Sequence, residues 1–380
     1  MVAGKITVVQ MLPELEAGGV ERGTLEVGKY LVQHGRRSIV ISGGGRMVPQ
    51  LESEGSEHVL WKVGKKSPLT LKYIPKLRKF LTQQKVDILH LRSRVPAWVG
   101  YLAWKSMPAH SRPRLVTTFH GFYSINKYSA VMARGEKVIA ISKVIKNHIL
   151  TTYKVPEDRI ELIYRGFDET KFVSSKISQE DIQYLLKKWG LPDGNSLPVI
   201  MLPGRLTRLK GHDVFIKALK SIEDLDWLAV CVGDTEDNPG YCDELKELLI
   251  KLQLENRVRF VGHCDNMPAA FSLADIVVSA TSTRPEAFGR IAVEAQAMER
   301  PVIASSQGGS METVLPGKTG WLVKPGDPES LAEALREGLT HPDMCKKYGG
   351  AGRAWVLDNF TTVKMCEKTI KVYRGLIFNS

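Results

Sequence analysis

Two glutamates eight residues apart, Glu286 and Glu294, stand in the stretch RPEAFGRIAVEAQAMERP, residues 284–301. Eight residues is a little over two helical turns, an offset that returns two side chains to nearly one face. Arg284-Pro285 signals a turn, Gly289 a helix start, and Ile291, Val293, Ala295 and Ala297 supply an apolar run. Glu286 is then expected in the loop ahead of the helix and Glu294 on it. The backbone N–H groups around Phe288, Gly289, Arg290 and Ile291 become helix-start donors with partial positive charge, which suits a phosphate. One acid ahead of such a helix start and another two turns in can hold hydroxyls on both sides of a diphosphate. That is the shape of a nucleotide-sugar. A solvated helix face has the same spacing, so the flanking elements decide between the two readings.

Those elements favour a ligand site. A buried-strand pattern at residues 275–279 precedes the stretch, and a second at 301–304 follows it, leading into Gly308-Gly309-Ser310. Residues 197–203 read as another strand, ending in Gly204-Arg205-Leu206-Thr207-Arg208-Leu209-Lys210-Gly211 before a helix. Arg205 and Lys210 lie between a strand's carboxyl end and a helix start. Fixed cations there stabilise the charge that grows on a departing diphosphate. Strands at 226–233 and 257–262 continue the sheet, Asp327 caps a helix ending near Leu339, and residues 342–378 read as helical.

The first half repeats the pattern. Strands are expected at residues 5–11, 37–42, 86–91, 114–119 and 137–141, and residues 159–163 lead into the crossing to the second half. A strand, a glycine loop, a helix and a strand form a βαβ unit with a parallel sheet. The loop after the first strand carries Gly18-Gly19, which lets a backbone approach a ligand or simply makes a turn. It is not GxGxxG, and Ser42-Gly43-Gly44-Gly45 stands where a dinucleotide site needs an acid. In doubly wound sheets, ligands bind beyond the carboxyl ends of the strands. His120, before Gly121, is placed there by topology, and so are Arg92 and Arg94, candidates for gripping an anionic acceptor.

The 380 residues suffice for two domains with separate cores. The five cysteines, Cys231, Cys242, Cys264, Cys345 and Cys366, show no paired or metal-ligand spacing, which points to a reduced, cytoplasmic setting. No signal pattern opens the chain and no apolar run is long enough to span a bilayer. The net charge of +12 is unevenly spread. Residues 1–170 hold 27 Lys and Arg against 14 Asp and Glu, and the remainder holds 26 against 27. The N-terminal half therefore faces a polyanion, either anionic lipid or nucleic acid. Residues 67–84, SPLTLKYIPKLRKFLTQQ, form a basic amphipathic segment, with Lys62, Lys65 and Lys66 just upstream and a possible kink at Pro75. Its lysines suit lipid headgroups, although a surface helix packed on the sheet has the same pattern. No zinc-finger spacing, RRM aromatic signature or glycine-clamp loop supports nucleic acid.

EAFGRIAVE, followed by a strand and a glycine-pair loop, resembles the E-x7-E motif of the retaining GT-B glycosyltransferases of family 4. The resemblance covers nearly the whole chain and is strongest over residues 199–330. It implies an α/β GT-B fold, two Rossmann-like parallel-sheet domains facing across a cleft. Residues 1–170, joined by a crossover helix at about 361–380, would form the acceptor-side domain, and residues 171–360 the donor-binding domain. It further implies that Arg205 and Lys210 bind the diphosphate, that His120 and Glu286 contact the transferred sugar, and that Glu294 binds ribose. Gly18 and Gly19 would lie at the cleft near the acceptor and the donor phosphates. Same-face attack, in which the leaving phosphate helps deprotonate the acceptor, is implied as well, with no metal and no cofactor. The expected acceptor is an anionic glycolipid of the lipopolysaccharide-core type, met at the inner face of the membrane. The family usually has Asn-Gly-x-Asp-x-x-x-Phe at the domain crossing, whereas here Arg165 precedes Gly166. Asp224-Leu225-Asp226 matches the DxD pattern of metal-dependent enzymes but precedes its strand, so it reads as a turn. A GT-B-type epimerase and a basic nucleic-acid-binding protein are the alternatives.

Overall fold

The computed structural model describes residues 6–16, 18–192 and 197–378. The chain divides into two compact units, Met1–Gly166 with Thr362–Ser380, and Phe167–Thr361. In the first, the order is β1 (Thr7–Met11), α1 (Gly19–Gln33), β2 (Arg37–Ser42), α2 (Val48–Ser53), β3 (Glu57–Leu60), α3 (Tyr73–Gln83), β4 (Ile88–Leu91), α4 (Arg94–Lys105), β5 (Arg114–Phe119), β6 (Lys137–Ala140), α5 (Lys143–Tyr153) and β7 (Ile160–Leu162). These strands make one parallel sheet in the order β3-β2-β1-β4-β5-β6-β7. Lys5, expected in the first strand, lies outside the described residues.

Both faces of this sheet are covered, so its central strands are buried along their whole length, as parallel strands must be. On one face, Val27 and Leu31 of α1 join Ile88, Val116 and Ile139 of the strands in a single apolar cluster. A fully buried Leu, Ile or Phe contributes roughly 1.5–3 kcal/mol. An exposed ion pair such as Arg37–Glu57 contributes about 0–1 kcal/mol. The sheet cores therefore hold the fold together. The expected basic helix over 67–84 is two pieces, a 3-10 turn at Pro68–Lys72 and then α3. Pro75 sits in the first turn of α3, where a missing N–H costs nothing, so the tolerated position replaces the expected kink.

The second unit runs α6 (Gln179–Trp189), β8 (Val199–Pro203), α7 (His212–Lys220), β9 (Leu228–Val232), α8 (Pro239–Leu252), β10 (Val258–Phe260), α9 (Met267–Leu273), β11 (Ile276–Ser279), α10 (Arg290–Ala297), β12 (Val302–Ser305), α11 (Ser310–Thr313), β13 (Gly320–Val323), α12 (Pro328–Thr340) and α13 (Pro342–Asn359). Its parallel sheet has the order β10-β9-β8-β11-β12-β13. Phe215, Trp227, Ile200 and Leu202 anchor its core. Asp327 caps α12 by accepting from the N–H groups of Glu329 and Ser330 at 3.1 and 3.2 Å. The helical tail breaks at Phe360-Thr361. The last helix, α14 (Thr362–Phe378), belongs to the first unit, where Ile370 and Tyr373 join the cluster beneath α1.

Each sheet reverses its direction of winding at one place, between β1 and β4 in the first unit and between β8 and β11 in the second. Crevices beyond the carboxyl ends of the strands open at such switch points. The loops that leave β8 and β11 therefore start from adjacent strands.

Candidate active site

In the second unit, the loop after β8 carries Lys210 and the loop after β11 carries Glu286. Lys210 Nζ donates to Glu286 Oε1, and both side chains are mostly buried, at 19% and 13% exposure. The two loops are sewn together by backbone contacts. Ser282 N donates to Leu209 O at 3.0 Å, and Ser282 Oγ to Arg208 O at 2.9 Å. Gly204 lies against the Lys210 stem, 3.3 Å separating its would-be Cβ from Cδ and Cε. A lysine and a glutamate from the switch-point loops thus meet beside the start of α10.

Gly289 is the residue before α10 and has φ 86°, a conformation that favours glycine. Glu286 Oε2, Ser310 Oγ and Thr313 Oγ1 all lie within 4 Å of where its Cβ would be. The Gly308-Gly309 loop cups residues 286–288. Gly309 N donates to Glu286 O at 2.8 Å, and a Cβ on Gly309 would collide with the Phe288 backbone. Phe288 itself is 4% exposed and packs edge-on against Phe360 at 5.5 Å. Only its backbone is left to meet a ligand. Ile291, the second residue of α10, is half-buried. Glu294 lies on α10 as expected but is 5% exposed and accepts from Arg290 Nε at 2.8 Å. The expectation of a directly offered acid is thereby refined: the charge is held by a neighbour four residues back. Arg205 is exposed and makes no hydrogen bond or ion pair among the described residues.

Behind Lys210, His212 opens α7 fully buried, with neither ring nitrogen hydrogen-bonded among the described residues. Burial, then the nearby Lys210 charge, lowers its pKa to about 4. Asp224 pairs with Arg336 through two 2.7 Å contacts on the surface, as a turn residue does. Among the described residues, no group of three or more His, Cys, Asp or Glu is placed to hold a metal.

In the first unit, His120 follows β5 at the carboxyl edge of the sheet, beside the end of β4. Its Nδ1 accepts from Arg165 Nη2. Arg165, which follows β7, is 6% exposed. In the sequence Arg165 marks only a departure from a family turn, and its position just past a strand end is the one signal of its role. Gly18 precedes α1 with φ 132°, while the Cβ position of Gly19 meets nothing within 4 Å. Of this pair, only Gly18 needs to be glycine.

One expectation is corrected here. Arg92 is 2% exposed, with Nε donating to Gln10 Oε1 at 2.8 Å, so it is spent inside the protein and not on an acceptor. Arg94 opens α4, half-buried, and lies over the rings of Tyr123 and Tyr128, at 5.0 and 5.4 Å. His90, unassigned from sequence, is a structural residue that bonds Tyr373 Oη and Thr118 Oγ1, both at 2.6 Å.

Comparison with known proteins agrees with this architecture. Residues 17–171 match the family described as Glycosyltransferase Family 4, and residues 186–355 match Glycosyl transferases group 1. A glycosyltransferase from Rickettsia africae ESF-5, known from its crystal structure, is 35% identical and superposes with a TM-score of 0.92 over 99% of this chain and 100% of that one. N-acetyl-alpha-D-glucosaminyl L-malate synthase of Bacillus anthracis is 26% identical over 96% of this chain and 95% of its own length. Anabaena Alr3699/HepE, solved in complex with UDP-glucose, shares the fold with a TM-score of 0.83 at 23% identity, covering 97% of this chain and 99% of that one.

Proposed function

This chain belongs to the family 4 glycosyltransferases of GT-B architecture, and from that membership we propose that it moves a sugar from a nucleoside-diphosphate donor to a hydroxyl of an anionic acceptor, with retained anomeric configuration and no metal ion. The observation that carries this reading is the meeting of Lys210 and Glu286 at the switch point beside the start of α10.

In this reading Lys210, helped by exposed Arg205, meets the diphosphate. The amides between Phe288 and Ile291 add partial positive charge. Glu286 accepts hydrogen bonds from hydroxyls of the transferred sugar, and Glu294, held by Arg290, accepts from the ribose. His120 contacts the sugar. The bond from the anomeric carbon to the diphosphate oxygen breaks, a bond to the acceptor oxygen forms on the same face, and the acceptor's proton passes to the departing phosphate. Preorganised charge at a developing anion is worth roughly a hundredfold to a thousandfold in rate. Lys210 and Arg205 supply here what a divalent cation supplies elsewhere.

The acceptor reading rests on charge. The basic excess lies in residues 1–170, and the relative from Bacillus anthracis is named for L-malate, an anion. The sequence-based reading of a lipopolysaccharide-type glycolipid, met at the cytoplasmic face of a membrane, draws support from one surface. Leu69 and Leu71 are 74% and 53% exposed among Lys66, Lys72 and Lys76. No helix among the described residues is long and apolar enough to cross a membrane, so contact would be peripheral.

One two-step experiment tests the proposal. A thermal-shift screen of UDP-, GDP- and ADP-sugars identifies the donor, because a ligand at a hundred times its Kd adds about 2.7 kcal/mol to apparent stability. Acceptor trials then compare glycolipid in anionic vesicles with soluble hydroxy acids. One donor should raise the midpoint, and vesicle-borne acceptor should be glycosylated faster. Conversion of the donor with no acceptor present would identify an epimerase instead, and no shift with any donor would refute the reading.

A further inference from the structure

His120 and Arg165 form a contact that the family resemblance does not supply. A guanidinium has donors only, so an Arg165 N–H must point at His120 Nδ1, and Nδ1 must be the accepting nitrogen. The ring proton then sits on Nε2. That atom is buried and has no hydrogen-bond partner among the described residues. The groups facing the ring are Arg165 after β7 and Arg92 and His90 at the end of β4, while the Tyr123 hydroxyl accepts from the His120 backbone N–H at 3.5 Å. None of them is a carboxylate. Burial first, then the Arg165, Arg92 and His90 charges, hold the ring well below the usual imidazole range. Arg165 has its own counterweight in Glu21 of α1. Its place is cut by Gly23, where a Cβ would fall onto Nη1.

We propose that Arg165 is a positioning residue: it locks His120 as the neutral imidazole protonated on Nε2, so that His120 donates one hydrogen bond to a hydroxyl of the transferred sugar and takes no proton from it. The role at the sugar rests on the proposed transferase reading; the lock on the ring does not. Because Gly23 makes room for the guanidinium, the lock can be broken from two directions, at Arg165 itself or by adding a methyl group on α1.

The test uses full-length protein labelled with 15N-histidine, in which long-range 1H–15N spectra report each ring's tautomer and charge. His120→Gln identifies the resonance. In the wild type, His120 should be neutral and Nε2-protonated at pH 7. In Arg165→Met, removing the adjacent cation should raise the apparent pKa, and the acidic limb of the transfer rate should move up with it. Gly23→Ala, which favours the helix intrinsically, should reproduce the effect by displacing the guanidinium, and Arg165→Lys should restore part of the lock. A wild-type ring protonated on Nδ1 or charged at pH 7 overturns the proposal, as does an unchanged ring in both Arg165→Met and Gly23→Ala. Normal transfer by His120→Ala, with the tautomer results intact, would instead remove His120 from the sugar and leave the lock standing.

Discussion

Seventy-six residues separate Lys210 from Glu286, and nothing local in either segment names the other as its partner. Each was legible as a type: a cation after a strand, and an acid before a helix. Their pairing was not, because it depends on β8 and β11 being neighbours across a switch point. Arg92 shows the opposite failure. A strand-end arginine suggests an anion, but this one turns inward to Gln10, and sequence carries no sign of that rotation. His212 gave no signal at all, yet it has a measurable consequence. Its pKa is about 4 when folded and near 6.5 when unfolded. Above pH 6.5 both states are neutral and stability is full. As pH falls from 6.5 towards 4, the unfolded chain takes up the proton first, and stability on the order of 3 kcal/mol is lost. Denaturant midpoints measured across that window should fall less in His212→Phe than in the wild type. Equal losses in both would show that His212 does not titrate as its burial requires.

The strands were readable because parallel strands covered on both faces are continuous apolar runs. β3 escaped because it lies at the sheet edge, with Glu57 and Leu60 exposed. α2 escaped because six residues are too short to show a helical period, and β13 because, like β3, it lies at a sheet edge with Trp321 and Leu322 only half-buried. At this scale the glycine-pair loop is the clearest link between fold and chemistry. Gly309 touches the Phe288 backbone, and backbone cannot swing aside as a side chain can. Gly309→Ala should therefore cost roughly 1–3 kcal/mol and displace the loop that carries Glu286. Its thermal midpoint should drop by several degrees and its KM for the donor should rise. Gly240→Ala, at a position meeting nothing within 4 Å, is the matched control and should leave both nearly unchanged. If Gly309→Ala behaves like the control, the two loops do not depend on each other.

At the scale of the whole chain, two restarted βαβ patterns were plain in the sequence, and two parallel sheets follow from them. The return of the last helix to the first unit was not readable from composition; it was implied only by resemblance, and α14 joins the cluster with Val27 and Leu31. The charge asymmetry belongs to this scale too, since no single lysine explains it. What unites the three scales is one claim, that Lys210, Glu286 and the start of α10 hold the pyrophosphate and sugar of the donor. Turnover and UDP affinity measured side by side in Glu286→Ala and Lys210→Met test it most directly. Glu286→Ala should bind UDP within a few-fold of the wild type yet lose roughly a hundredfold or more in turnover, and Lys210→Met should lose both. Near-normal turnover in the two variants, each still folded, would contradict the account.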